Sequence, residues 1–451
     1  MRIKDIAVYF SAFIPRNPRA ILTIFRSLKH RDFALYFFGM GISLIGAWVQ
    51  QVAMGWLVFR LTNSPFMLSL SVFLAQIPIL FLSPLTGFLS DRFRRKNILI
   101  ISQFTLMSAS VCLFLLCYFH LETISLILCF SFFFGIVMSV EAPARQSFYS
   151  ELVPPEDLSN AIALNSTIIN GTRFIGPAVG GMIIAKWGEQ WCFLLNSVSF
   201  AGILISLFLI RTVFHIERKV TTSAITDIRE GFEYVLGSVP IKGVILYLIS
   251  FTFFAVPFPL LLPAYVGKVL GGNSETLGNM MSCIGIGALA AALYLAARKR
   301  VIGLGRVIAF SGFILGISLM LFAYNDIIWI AYVISVPFGF ALISLAASSN
   351  TILQSIVHDE KRGRVMSIFT MAFFGVPPLG TLVQGIVSKY ISLQHVTFAC
   401  GIIGIISALI FEHYRPVIRK HVRRIYADKG IIIPEIAKGL QESGHGHMPS
   451  S

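Results

Sequence analysis

Charged side chains are scarce in this sequence, so the few that stand inside apolar stretches are the first candidates for chemistry. Arg173 lies near the middle of the apolar run Ala161–Trp187, and Ser166, Asn170, Pro177 and Gly180 share its face at i+3 and i+4 spacing. A guanidinium removed from water is costly and marks a functional candidate. Facing a wet cavity, it has the geometry to bind carboxylate, catecholate or phosphate oxygens in pairs; turned toward backbone carbonyls, it only holds a helix. The acids nearest in level are Glu141, Glu151 and Glu156. The amides at membrane depth are Gln50, Gln51, Gln76, Asn165, Asn170, Asn196 and Asn279, each able to line a cavity or to tie two helices together.

Two further motifs combine small residues with polar ones. In GFLSDRFRRK, Gly87–Lys96, Gly87 and Asp91 lie one helical turn apart, so the glycine permits close approach where the carboxylate emerges among Arg92, Arg94, Arg95 and Lys96. Topology alone accounts for the cations, whereas the aspartate is placed to cap the positive end of a neighbouring helix. In GTRFIGPAVGG, Pro177 removes a backbone bond, and Gly176, Gly180 and Gly181 permit bending or tight packing around it. Enzymatic and metal chemistry find no such support. The six cysteines stand in apolar runs without a CxxC pair, and the nine histidines lie mostly in loops and tails, His445 and His447 in the closing SGHGHMPSS. Neither a cofactor nor a metal site is expected.

The elements that position these residues are membrane helices. Apolar residues make up 56% of the 451, only 13% are charged, and the mean hydropathy is +0.80, whereas a soluble domain carries about 25% charge. At roughly 20 apolar residues per span, twelve spans are read: Phe33 to Phe59, Met67 to Ser90, Ile98 to Phe119, Ile124 to Val140, Ala161 to Trp187, Cys192 to Ile210, Val244 to Val266, Leu277 to Ala296, Val307 to Ala323, Ile327 to Ala347, Val365 to Tyr390 and Thr397 to Phe411. They leave no room for a large extramembrane domain.

Charge then orients the chain. With both tails in the cytoplasm, 31 of the 36 Lys and Arg residues fall on the inner side and only Arg60, Lys186, Lys268 and Lys389 on the outer. The net charge of +15 and pI near 9.7 therefore report topology and no nucleic-acid partner. The start, MRIKDIAVYFSAFIPRNPR, lacks a small-residue cleavage site and reads as a basic tail, residues 1–32, rather than a signal peptide. Six-span halves follow at 33–210 and 244–414, joined by a linker at 211–243 and closed by a basic tail at 415–451. In the linker, Ile228, Phe232, Val235 and Leu236 recur at helical spacing, as a helix on the membrane face or an ordinary solvated one. The tail sequence RPVIRKHVRRIYADKG suits anionic lipid or a docking partner.

An internal repeat agrees with this division: RQSFYSELVPPEDLSNAIALN before the fifth span is echoed by LQSIVHDEKRGRVMSIF before the eleventh, and GPAVGG falls opposite GTLVQG. Related halves are the construction of transporters that rock around a central site.

These motifs resemble the major facilitator superfamily. Its loop between helices two and three runs G-x-x-x-D-R/K-x-G-R/K-R/K, matched by Gly87, Asp91, Arg92, Arg95 and Lys96, with Arg94 in place of the second glycine. The GPxxGG core is similar to the antiporter motif of its exporters, with Ala163 and Thr172 at the upstream glycine positions. SLKHRDFALYFFGMGISLIGAWVQQVAMGWLVFRLTNSPF, EAPARQSF and LSNAIALNSTIINGTRFIGPAVGG resemble the drug and siderophore exporter branch that includes the enterobactin exporter.

The resemblance implies an all-α integral membrane protein of twelve helices in two six-helix pseudo-repeats. It also implies a monomeric secondary transporter of the bacterial inner membrane, exporting amphipathic small molecules by alternating access with protons as the coupling ion. Gating would fall to Gly87, Asp91, Arg92, Arg95, Glu141, Arg145 and Arg364, with Asp91 capping the helix that begins near Arg364 when the transporter faces outward and Arg95 paired with Glu141. Gln50, Gln76, Asn170 and Arg173 would line the cavity, and Gly176, Pro177, Gly180 and Gly181 would bend the fifth helix. Lysophospholipid flipping, solute uptake and a non-transporting sensor or scaffold are the other readings the sequence leaves open.

Overall fold

The computed structural model describes residues 25–211, 224–298 and 301–428, and the side chains of 83–85, 87–92, 170, 224–229, 359–360, 424 and 427–428 lie outside the description. Among the described residues twelve helical spans are long and apolar enough to cross a membrane. In order they are Arg31–Thr62, Pro65–Leu82, Arg95–Tyr118, Ile124–Leu152, Pro155–Trp187, Glu189–Leu209, Val239–Lys268, Ser274–Ala296, Leu304–Tyr324, Ile328–Ile356, Lys361–Val387 and Leu393–Arg423. With every backbone polar group needing a partner inside the bilayer, helices are the only economical answer to so apolar a chain.

Packing repeats between the halves. Span 2 lies on span 4, span 3 on span 6 and span 1 on span 6; in the carboxyl half span 8 lies on span 10, span 9 on span 12 and span 7 on span 12. The halves meet where span 5 packs on span 8 and span 2 on span 11, which are equivalent pairs under the same exchange. The linker forms the helix Ala224–Gly237. It docks on the start of span 11, with Gly231 against Ile368 and Arg364. Phe232 and Leu236 remain exposed while Val235 is buried.

Glycines bring the two halves together on the face away from the tails. A Cβ on Gly278 of span 8 would stand 2.7 Å from the Pro177 carbonyl oxygen and 2.9 Å from Gly181 Cα of span 5. Gly385 of span 11 sits against Ser69 and Phe66 of span 2, and Gly267 of span 7 against Phe59 of span 1. Lys389 Nζ lies 3.3 Å from the centroid of the Phe66 ring at the same seam. Toward the tails, Ala163, Ser166 and Thr167 of span 5 are exposed, and a Cβ on Gly171 would meet nothing within 4 Å. The bundle is thus sealed on its far face and parted toward its tails.

Candidate functional site

The tail-side end of the amino half holds a buried polar cluster whose register follows from antiparallel helix packing. Gln103 of span 3 donates through Nε2 to Glu141 Oε1 of span 4 at 3.4 Å, and Arg145 Nε lies 3.0 Å from the same oxygen, one turn further on. Glu141 is only 2% exposed. Two turns before Gln103, Arg95 pairs with Glu151. The expected Arg95–Glu141 pair is therefore replaced: moving toward the tails on span 3 means moving forward on span 4, which carries Arg95 past Glu141 to the level of Glu151. Sequence reading passed over Gln103, Tyr36 and Tyr149. Tyr36 packs edge-on against Tyr149, whose hydroxyl donates to Asn165 Oδ1 at 2.5 Å. A polar residue in span 3 facing the Glu141 level was the available signal for Gln103.

Gly87, Asp91 and Arg92 belong to the helix Pro65–Arg92, and their side chains, like that of Asn170, lie outside the described residues. Arg364, at the helix expected to receive Asp91, pairs with Glu230 of the linker helix, and Lys361 Nζ reaches the same carboxylate at 2.8 Å. Glu230 is 39% exposed on its side chain, so solvent screening keeps this contact modest.

Between the halves lies a cavity of about 400 Å³, walled by Val52, Val72, Ala75, Met138, Leu260 and Met281 among others, with Gln50, Gln51, Gln76 and Asn196 as its amides. Its size falls in the range of small-molecule sites, and the few polar groups in an apolar wall suit an amphipathic ligand. Gln50 is tied into the scaffold: its Oε1 accepts from Ser110 Oγ at 2.8 Å and from Asn196 Nδ2 at 2.7 Å. That bond set joins spans 1, 3 and 6. Gln76 lines the same cavity and has no hydrogen-bond partner among the described residues. Asn196 and Phe200 bring span 6 into the wall as well.

Arg173 is not among the residues lining that cavity. Its guanidinium carbon lies 5.5 Å from the centroid of the Trp48 ring of span 1, and its Nε is buried without a hydrogen-bond partner. None of the described residues forms an ion pair with it. Gly176 packs on Trp48, Gly180 on Val49 and Gly181 on Gly278, so the GPAVGG motif is a packing seam on two sides of a helix that continues through Pro177. Ser282 Oγ of span 8 donates to the Phe174 carbonyl at 3.2 Å, placing Arg173 at the junction of spans 1, 5 and 8.

Two spans depart from regular helix, and the first of them walls the cavity. Span 7 breaks between Phe254 and Pro257. Pro257 lacks the N–H that would bond the Phe253 carbonyl. Gln384 of span 11 supplies the donor, its Nε2 lying 3.1 Å from Phe253 O and 3.2 Å from Phe254 O. Pro259, Leu260 and Pro263 beyond the break form one wall of the cavity. Span 11 carries a π-helical turn, Met371–Gly375, before Pro377 and Pro378, the kind of local widening that accompanies functional sites.

A profile of the family described as transmembrane secretion effector matches residues 22–442. The chain belongs to this family. It is a major facilitator transporter and not an enzyme, as its motifs led one to expect. The staphyloferrin A transporter of Staphylococcus aureus is 28% identical over 382 residues, 83% of this chain and 94% of that protein. The enterobactin exporter EntS of Salmonella typhi is 23% identical over 393 residues, 86% of this chain and 94% of that one. A solved bacterial homologue of the iron transporter ferroportin in its inward-facing state shares the fold, with a TM-score of 0.65 at 18% identity over 84% of this chain and 98% of its own. With twelve spans and bacterial relatives, this transporter is a multi-pass protein of the inner membrane.

Proposed function

We propose that the transporter exports an amphipathic small molecule with an anionic group, siderophore or drug-like, by alternating access, with both tails in the cytoplasm and protons as the coupling ion. The observation that carries the reading is Arg173, a guanidinium in mid-span at the junction of spans 1, 5 and 8, outside the wall of the central cavity, with an aromatic face beside it and no ion-pair partner among the described residues. A half-buried cation whose Nε is cut off from solvent and has no counter-ion beside it favours a ligand that brings one. The 31 basic residues on the tail side support cytoplasmic tails; on that orientation the far-side seal leaves the cavity open for loading from the cytoplasm. Glu141, buried and held by Arg145 and Gln103, is with Asp91 a candidate acid for proton coupling. The two named relatives lend the siderophore class its support.

The test uses Arg173→Lys and Arg173→Gln. A charge-assisted hydrogen bond contributes about 1.5–3 kcal/mol, roughly tenfold to more than a hundredfold in affinity. Transport of an anionic catecholate siderophore falls in both variants, more in Arg173→Gln, while transport of a cationic dye is spared. Flux is measured from everted vesicles and normalised to detergent-stable protein. An equal loss for both compounds assigns Arg173 to helix packing and removes the reading.

A further inference from the structure

A second cavity lies at the tail-side end of the carboxyl half, away from the transport pathway. It has a volume of about 240 Å³ and is enclosed by the loop before span 9 and the extended end of span 12. Arg306, Arg415, Arg419 and Arg423 all line it. The last three recur at i+4 spacing and so share one face of span 12. Arg415 is paired with Glu412 at 2.6 Å. Arg306, Arg419 and Arg423 have no ion-pair partner among the described residues. Three unneutralised guanidiniums converging on one concavity repel each other and favour an anion.

The floor of the same cavity is apolar, formed by Val244, Ile352, Phe411, Ile418 and Val422. A soluble anion would have no use for such a floor. Two of these residues, Phe411 and Ile418, also wall a neighbouring groove of about 570 Å³ between spans 7 and 12. Along it Leu246, Tyr414 and Val417 are exposed, and Tyr247 stacks on Phe411 with ring centroids 4.5 Å apart. Arginine forks therefore stand beside an apolar trough at the tail-side end of span 12. Gly303, at φ +95°, turns the loop so that Gly303, Leu304 and Gly305 close the cavity beside the arginines with little side-chain bulk.

We infer that this cavity holds the headgroup phosphate of an anionic phospholipid from the tail-side leaflet, with an acyl chain in the groove between spans 7 and 12. Arginine matches phosphate oxygens two at a time, and basic pockets at helix ends recognise anionic headgroups. The site is independent of whatever the central cavity carries, because no residue is shared between them.

The experiment uses the full chain in detergent, titrated with dioleoylphosphatidylglycerol, dioleoylphosphatidylcholine or inorganic phosphate, and followed by native mass spectrometry and thermal melting. Phosphatidylglycerol is expected to be retained about tenfold more tightly than phosphatidylcholine, the scale of one charge-assisted hydrogen bond, and inorganic phosphate is expected to give no protection. The triple variant Arg306→Gln, Arg419→Gln, Arg423→Gln should lose the preference, whereas Lys420→Gln on the same helix should keep it. A photoactivatable acyl chain on phosphatidylglycerol, used with the unaltered protein, should label residues 239–250 and 407–418. Equal retention of both lipids, protection by phosphate alone, an unchanged preference in the triple variant, or labels scattered around the bundle would each overturn the assignment.

Discussion

Gly278→Ala tests whether the far-side seal is one of two alternating states. The added Cβ would stand 2.7 Å from the Pro177 oxygen and 2.9 Å from Gly181 Cα, both backbone atoms that no rotamer change can move. Overpacking of this kind costs about 1–3 kcal/mol. The cost exists only while spans 5 and 8 touch, so it raises the sealed state and leaves the opened one unchanged. Such a bias shifts the equilibrium about fivefold to about 140-fold toward the far-side-open form. The assay is electron-spin distance measurement between labels at Leu121→Cys and Asp326→Cys, which lie in far-side loops of opposite halves, after Cys112 and Cys129 are replaced by alanine. A longer-distance population should grow in Gly278→Ala. Gly171→Ala, on the same span 5 but with nothing within 4 Å of its Cβ, should leave the distribution as it is. An unaltered distribution in a folded Gly278→Ala protein would refute the reasoning, since a state that tolerates the methyl is not held by that contact.

Arg95 and Glu151 are only 10% and 9% exposed on their side chains, so removing either partner as Arg95→Ala or Glu151→Ala should cost about 3–5 kcal/mol in detergent melting. The exchange of Arg95→Glu with Glu151→Arg should recover most of it, and Arg95→Glu with Glu141→Arg should not; the reverse ranking would restore the expected pairing. Gln384→Leu strands the Phe253 and Phe254 carbonyls at the break in span 7, a penalty of about 1–3 kcal/mol for each. A melting temperature equal to that of the parent would show that these carbonyls find other donors.

The sequence by itself determined the number and order of spans, because a bilayer demands an apolar run for each crossing and the demand is local. It also determined the family, through motifs written in consecutive residues. Span ends were less legible. Span 4 runs to Leu152 rather than Val140, and span 10 to Ile356 rather than Ala347, since a helix leaving the membrane keeps closing its own backbone bonds while its side chains turn polar. Arg173 announced itself as a charge at mid-span, yet only the tertiary structure set it against Trp48 and away from the wall of the central cavity. The partner of Arg95 was decided by the sliding register of two antiparallel helices, which hydropathy, a one-dimensional quantity, does not contain. The same holds at the break in span 7. Pro257 is plain in the sequence, but the donor that makes the break tolerable is Gln384, more than a hundred residues away, brought there by packing between spans 7 and 11.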